Sequence, residues 1–217
     1  MRTNSLKPAL CHIFIGIMCS AHAGELIVKV TNEKGRPLKD VVVFAEGDTQ
    51  KSGEKQTEIK IIQDNRNFVP KVSVIQAGTL VNFPNRDSIQ HHVYSFSRAK
   101  KFEIPLYKGN PPSPIKFEKA GSVIIGCNIH DWMKAYIYVV DTPYFATTDA
   151  AGKVQIQNIP AGSYKVKIWH PLKKSRRSIS ESVQVEGGKS ADLKFSLKLK
   201  PEWGPRRAPT SRSGVYR

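Results

Sequence analysis

The sequence predicts an all-β protein assembled from sandwiches, and three observations carry that reading. Short runs rich in Val, Ile, Tyr and Phe recur along the chain. Clusters of Gly, Pro, Asn and Asp separate them, as turns between strands require. Between residues 57 and 140 the apolar residues alternate or run together in short segments, without the spacing of an amphipathic helix. At 217 residues and 40% hydrophobic content, the chain has enough apolar material for one or two packed cores.

The first residues read as an export signal. Arg2 and Lys7 give a basic start, Pro8 to Cys19 an apolar stretch, and Ala21-His22-Ala23 a small-x-small cleavage site before Gly24. A membrane anchor needs about 20 consecutive apolar residues, more than this run offers, so no integral span is expected. Bulky Met18 before Cys19 disfavours a lipid-modified cysteine. Cleavage after Ala23 leaves Cys127 as the one thiol and Met133 as the one methionine of the mature chain. A single leftover Cys in an exported protein serves between chains, as a reactive thiol, or as a ligand; a small buried hydrophobe is the plain alternative.

Thirty-four basic against 18 acidic residues give a net charge of +16. Such a surface attracts acidic partners, anionic lipid or nucleic acid. No helix-turn-helix, RNA-binding aromatic motif or zinc-finger spacing appears, which excludes the common nucleic-acid readers. The expectation is an acidic redox protein as partner, with no nucleic acid bound.

Taken in order, Leu26 to Val30 and Val41 to Phe44 flank a turn with Gly35 and Pro37 and read as a strand pair. Two strands cannot bury a core alone. Gly47 to Lys55 is polar and reads as a linker. About a hundred residues later, Val154, Ile156, Tyr164, Val166 and Ile168 alternate with polar residues as half-buried strands do. Val183 to Val185 and Leu193 to Leu199 supply two more. The expected organisation is a signal at 1–23, one β-sandwich split between 24–50 and 141–200, a second domain at 51–140 inserted into it, and a basic tail at 201–217. Two sequential domains, with Leu26 to Phe44 joined to the central one, are the alternative. The tail, with Pro201, Pro205, Pro209 and several arginines, has no apolar periodicity.

The chemistry is concentrated in Gly126-Cys127-Asn128-Ile129-His130-Asp131-Trp132-Met133, between the apolar runs Val123 to Ile125 and Tyr136 to Val140. Thiolate, imidazole and thioether are the soft and borderline donors copper accepts, and two His with one Cys and a long axial Met form an electron-transfer site. The flanking β-branched runs make this a loop between strands; the spacing would also suit one helix face. A second His is needed, and His91-His92 supplies it from another strand. Successive strand side chains point to opposite faces, so only one of the two aims inward.

The stretches "FVPKVSVIQAGTLVNFPNRDSIQHHVYSF" and "GCNIHDWMKAYIYVV" resemble the cupredoxins, the blue copper proteins, and the compact Cys-x2-His-x2-Met loop is similar to the amicyanin type. The resemblance spans roughly residues 57 to 140. It implies a Greek-key cupredoxin sandwich holding one mononuclear type 1 copper through His91, Cys127, His130 and Met133. It also places the ligand histidine first in the pair, hence His91, with His92 standing where an Asn usually braces the copper loop; Asn128 is then the expected compensating partner of His92. The longer run through "AKKFEIPLYKG" and "VVDTPYFATTDAAG" resembles periplasmic methylamine-utilisation-type, plastocyanin-like proteins. Gly35 to Val43, with the later strands, resembles the carboxypeptidase-regulatory-like β-sandwich.

The expected roles follow from donor chemistry. Cys127 supplies the thiolate, His91 and His130 neutral imidazoles, and Met133 the weak axial donor. Asp131 reads as a turn residue, and Trp132 as either a docking patch beside His130 or packing over the loop. A zinc tetrahedron of His91, Cys127, His130 and either His92 or Asp131 is the competing metal reading. No Ser-His-Asp arrangement or paired carboxylates appear, so no enzyme is expected; His170, Tyr94 and Tyr107 read as structural. The function expected is one-electron transfer by an exported, periplasmic copper protein, against a copper- or zinc-binding structural module without redox turnover.

Overall fold

The computed structural model describes residues 23–47, 57–175 and 177–201, which leaves the proposed leader, most of the linker and the basic tail outside the described residues. The chain opens with β1 (Gly24–Asn32) and β2 (Val42–Gly47). Ten strands follow: β3 (Glu58–Lys60), β4 (Ile62–Asp64), β5 (Asn67–Val69), β6 (Val72–Gln76), β7 (Thr79–Asn82), β8 (His91–Ser97), β9 (Lys100–Tyr107), β10 (Ile115–Phe117), β11 (Gly121–Gly126) and β12 (Lys134–Val140). The last five are β13 (Phe145–Thr147), β14 (Lys153–Ile159), β15 (Gly162–Trp169), β16 (Ile179–Val185) and β17 (Ser190–Leu197). The protein is all-β: among the described residues there is no helix, and so none long and apolar enough to cross a membrane.

Strands β1 and β2 do not pair with each other, contrary to the expectation of a strand pair. β1 lies between β14, antiparallel, and β17, parallel, whereas β2 lies between β13 and β15. Their patterns explain the separation. β1 alternates, with Leu26, Val28 and Val30 buried, so it covers one side of a core. The run Val41 to Ala45 is buried throughout, as a strand covered on both faces must be. Val43 and Ala45 face Leu26, Val28, Val166 and Ile168 in one cluster, while Val42 and Phe44 turn the other way. The connection crosses between sheets through a turn closed by Asn32, whose side-chain oxygen accepts the Lys34 and Arg36 N–H groups.

The central strands build a five-stranded sheet in the order β6-β12-β11-β8-β9, faced by β10-β7-β3 and the β4-β5 hairpin. Phe83, Phe117, Ile125 and Ile137 are fully buried between them, together with Val81, Val93 and Val123. The runs Thr57 to Gln63 and Phe68 to Val74 are each divided, into β3 and β4 and into β5 and β6. Val42 and Phe44 meet Val72 and Val140 in a third cluster, where Tyr138 stacks on Trp169 with ring centroids 4.7 Å apart.

Candidate metal centre

The loop from Cys127 to Met133 joins β11 to β12, whose pairing runs from Gly121↔Val139 to Gly126↔Lys134. The helical alternative is not adopted. The loop is closed by its own backbone: Cys127 N–H donates to the Met133 carbonyl (3.2 Å) and Met133 N–H to the His130 carbonyl (2.9 Å). Cys127 and Met133 are buried members of the central core, at 4% and 1% exposure. His130 is half-buried, and its ring lies 5.3 Å from that of Trp132, centroid to centroid. Ile129 and Trp132 are exposed, and so is Asp131.

His91 begins β8. Its partner β9 carries an irregularity in register between His91↔Tyr107 and Val93↔Ile104, where Pro105 and Leu106 fall; Pro suits such a position because it has no N–H to give to the ladder. His91, Val93 and Ser95 face the core at 1% exposure or less. His91 Nδ1 thereby stands 3.9 Å from Cys127 Sγ, and His130 Nδ1 3.8 Å from the same sulfur. Candidate donor atoms of the three residues all lie within 4.8 Å of one another.

His92 takes the opposite face of the strand. Its Nε2 pairs with the Glu103 carboxylate (2.8 Å), and its buried Nδ1 has no hydrogen-bond partner among the described residues. It lines a surface hollow with Asn128 and Ile129, yet its bond goes to Glu103 rather than to the Cys127-Asn128 backbone, which corrects the expected brace. The reason is register. Glu103 lies opposite Tyr94 on the neighbouring strand, and a carboxylate is a stronger acceptor than a carbonyl.

Several contributors were not assigned a role from sequence. Asp87 Oδ2 is 2.6 Å from His91 Nε2, on the ring edge away from Cys127. Asp87 itself accepts the Asn65 and Arg66 N–H groups (2.7 and 2.9 Å) from the turn of the β4-β5 hairpin. Burial pushes its carboxyl up, but the Arg66 N–H, His91 and the Asn65 N–H outweigh that and hold it below the usual carboxylate range. Asn85, 5% exposed, shapes the segment: its amide donates to the Ile89 and Tyr107 carbonyls and its oxygen accepts Asp87 N–H. Beneath, Tyr107 donates to the Phe83 carbonyl, which also accepts from the fully buried Gln63 amide (2.9 Å). Burial raises the Tyr107 hydroxyl to about 12, against the Gln63 hydrogen bond and with a contribution from Cys127. Burial also lowers the His130 imidazole, with His91 and Arg66 adding to it and Asp87 opposing. The spacing Asp87-x3-His91 carries no signal in a β-protein, because four residues bring side chains together in a helix and not in a strand.

The donors brought together are a thiol and two imidazoles, largely buried, chemistry suited to a copper or zinc ion, and Met133 lies in the same core cluster as Cys127. No protein-family model matches the chain, and no curated protein matches it. Solved structures do. A purple cupredoxin from Nitrosopumilus maritimus is 24% identical and covers 39% of this chain and all of its own, with a TM-score of 0.34. A reduced tryptophan-to-tyrosine mutant of amicyanin is 17% identical over 44% of this chain and 98% of its own, TM-score 0.36. The copper-containing nitrite reductase from Thermus scotoductus is 22% identical over 52% of this chain and 28% of its own, TM-score 0.36. At such scores these likenesses assign no function, and the chemistry of the site rests on the side chains that the fold brings together.

Proposed function

We propose that this chain is an exported, mononuclear type 1 copper protein that carries single electrons, with His91, Cys127, His130 and Met133 as the metal ligands. The observation that carries the reading is the pair of sulfur-to-nitrogen separations, 3.9 Å to His91 and 3.8 Å to His130. Ligand bonds of about 2.3 Å to sulfur and about 2.0 Å to nitrogen set the two atoms about 3.5 to 3.7 Å apart, so one ion can bridge Cys127 to each imidazole with little movement. Two His and one Cys meeting in this way are the donors that copper electron-transfer sites use. Met133 is the buried thioether of the same loop and fits the weak axial role. When bound, copper supplies a one-electron couple; the protein holds the donors in a β-framework that needs little rearrangement between oxidation states.

The partner is an acidic redox protein that meets the half-exposed edge of His130, beside Trp132 and Ile129, on a cationic surface. In this reading 51–140 is the copper domain, inserted into a carboxypeptidase-regulatory-like sandwich formed by 24–50 and 141–200. Pairing of Val42, Val43 and Phe44 with Trp169, Ile168 and Lys167 supports that division. The signal pattern in residues 1–23 supports a periplasmic location, and the acidic partner is sought there.

Purified mature protein mixed with Cu(II) is expected to develop an intense thiolate-to-copper absorption that Cys127→Ser abolishes, and to titrate reversibly by one electron. A colourless protein that takes up stoichiometric zinc in preference would overturn copper in favour of the tetrahedral site. A coloured protein without a reversible couple would leave a copper-binding module.

A further inference from the structure

We propose that Asp87 is the positioning residue that makes His91 a ligand, and that the backbone of the Asn65-Arg66 turn is what holds Asp87 in place. The inference rests on the copper reading for its consequence, but its geometry does not depend on a metal. His91 is fully buried, and its two ring nitrogens have different neighbours: Nδ1 faces Cys127 Sγ at 3.9 Å and Nε2 faces Asp87 Oδ2 at 2.6 Å. A carboxylate accepts and cannot donate, so Nε2 carries a proton, and in the neutral imidazole Nδ1 then presents its lone pair toward Cys127. The same bond fixes the ring plane and raises the basicity of the coordinating nitrogen.

Asp87 is held from three directions. Its carboxylate accepts the Asn65 N–H (2.7 Å) and the Arg66 N–H (2.9 Å), and its own N–H is bound by Asn85 Oδ1 (2.9 Å). The two turn donors converge because Asn65 and Arg66 are consecutive left-handed residues, at φ 52° and 56°. That is the two-residue turn whose twist suits a tight hairpin, and it is costly for a residue with a side chain other than Asn or Gly. Asp64↔Asn67 closes the hairpin around it. Among the described residues the turn makes no hydrogen bond to Cys127 or His130. It acts on the site through Asp87 alone, apart from the charge of the Arg66 side chain, which is felt at His130.

A carboxylate acceptor makes His91 a stronger donor, which favours the more highly charged copper ion and lowers the reduction potential relative to an amide acceptor. Asp87→Asn keeps the size and removes the charge. Nitrogen-15 NMR of the metal-free protein at neutral pH is expected to show His91 in the Nε2–H form, and to show that preference weakened in Asp87→Asn, whose amide is the weaker acceptor. Copper-loaded Asp87→Asn should retain the thiolate absorption, bind Cu(II) about 10- to 100-fold more weakly, and have a higher potential. The turn is tested by two variants that both lose the Arg66 charge. Arg66→Gly accepts the left-handed backbone and should keep the parent His91 tautomer; Arg66→Val resists it and should shift the tautomer and potential in the direction of Asp87→Asn.

An unchanged His91 tautomer and Cu(II) affinity in folded Asp87→Asn would overturn the proposal while leaving the copper function intact. Should Asp87→Asn not fold, identical behaviour of Arg66→Gly and Arg66→Val would overturn the role of the turn. Absence of the absorption in the parent protein would instead overturn the copper reading, and the tautomer measurement would still decide the role of Asp87.

Discussion

The ring of Tyr94 lies across Gly126, the residue before Cys127. A Cβ added at Gly126 would stand 3.0 Å from Tyr94 Cζ and Oη, and the two residues are direct partners between β8 and β11. Tyr94 is flanked on the same face by His92 and Phe96, with ring centroids 5.4 and 5.1 Å away, so it has neighbours on both sides. Gly126→Ala is therefore expected to cost about 1–3 kcal/mol in urea unfolding, the usual range for overpacking. The cost should shrink in a Tyr94→Ala background, a non-additivity that a double-mutant cycle measures. Additive effects would mean that the ring is not what opposes the added methyl.

Trp169 joins the outer sandwich to the central one through its stack on Tyr138, which in turn meets Phe44 at 5.5 Å. Trp169→Ala removes an aromatic pair worth about 0.5–1.5 kcal/mol beyond the buried area. Calorimetry should show a lower transition temperature, with the outer and central cores beginning to melt separately, because this third cluster is an apolar contact between them. Metal uptake should not change, since Trp169 packs in a cluster other than the one that holds Cys127 and Met133. A single transition at the parent temperature would contradict the coupling.

Tyr107 gives a prediction on the alkaline side. Its hydroxyl is raised by burial to about 12, against an ordinary value of 10.0. A raised folded-state pKa means the unfolded chain loses this proton first, so stability declines as pH rises past 10 and toward 12. Tyr107→Phe should flatten that decline and remove the last step of a spectrophotometric tyrosine titration. It should also cost about 1–2 kcal/mol near neutrality, because the Phe83 carbonyl loses a donor.

His170 gives one on the acid side. Burial lowers its imidazole below 6.5, Lys71 adds to this and Asp40 opposes it. Here the unfolded chain takes up the proton first as pH falls, so the stability is complete above 6.5 and is lost progressively below it. His170→Asn, which can still accept the Leu172 N–H that Nδ1 receives, should make the acid limb of a stability-against-pH curve shallower. Equal acid limbs for the two proteins would show that His170 contributes nothing there.

Much of the architecture was legible in the residues. Alternation in Leu26, Val28 and Val30 and in Tyr164, Val166 and Ile168 marks half-buried strands, because side chains in a strand point to opposite faces in turn. The loop chemistry was legible for a similar reason: Cys127, His130 and Met133 lie within seven residues between two β-branched runs, and a short loop has no way to separate them. The division of Phe68 to Val74 into two strands was less visible, since a bend within an apolar run leaves composition unchanged. The pairing of β1 with β14 and β17 rather than with β2 was hidden because local pattern tells which face is apolar and not which strand lies beside it.

What the sequence by itself determined is the all-β class, the alternation that builds the cores, and the short loop in which Cys127, His130 and Met133 are confined; these are local properties of spacing and side-chain type. The family resemblance put His91 ahead of His92, and the fold sets it facing Cys127; tertiary structure alone decided that His92 answers to Glu103 and that Asp87, gripped by a hairpin turn from earlier in the chain, closes on the far edge of His91. Those relationships depend on strand register and on backbone groups meeting across the fold, and residue identity carries no record of either.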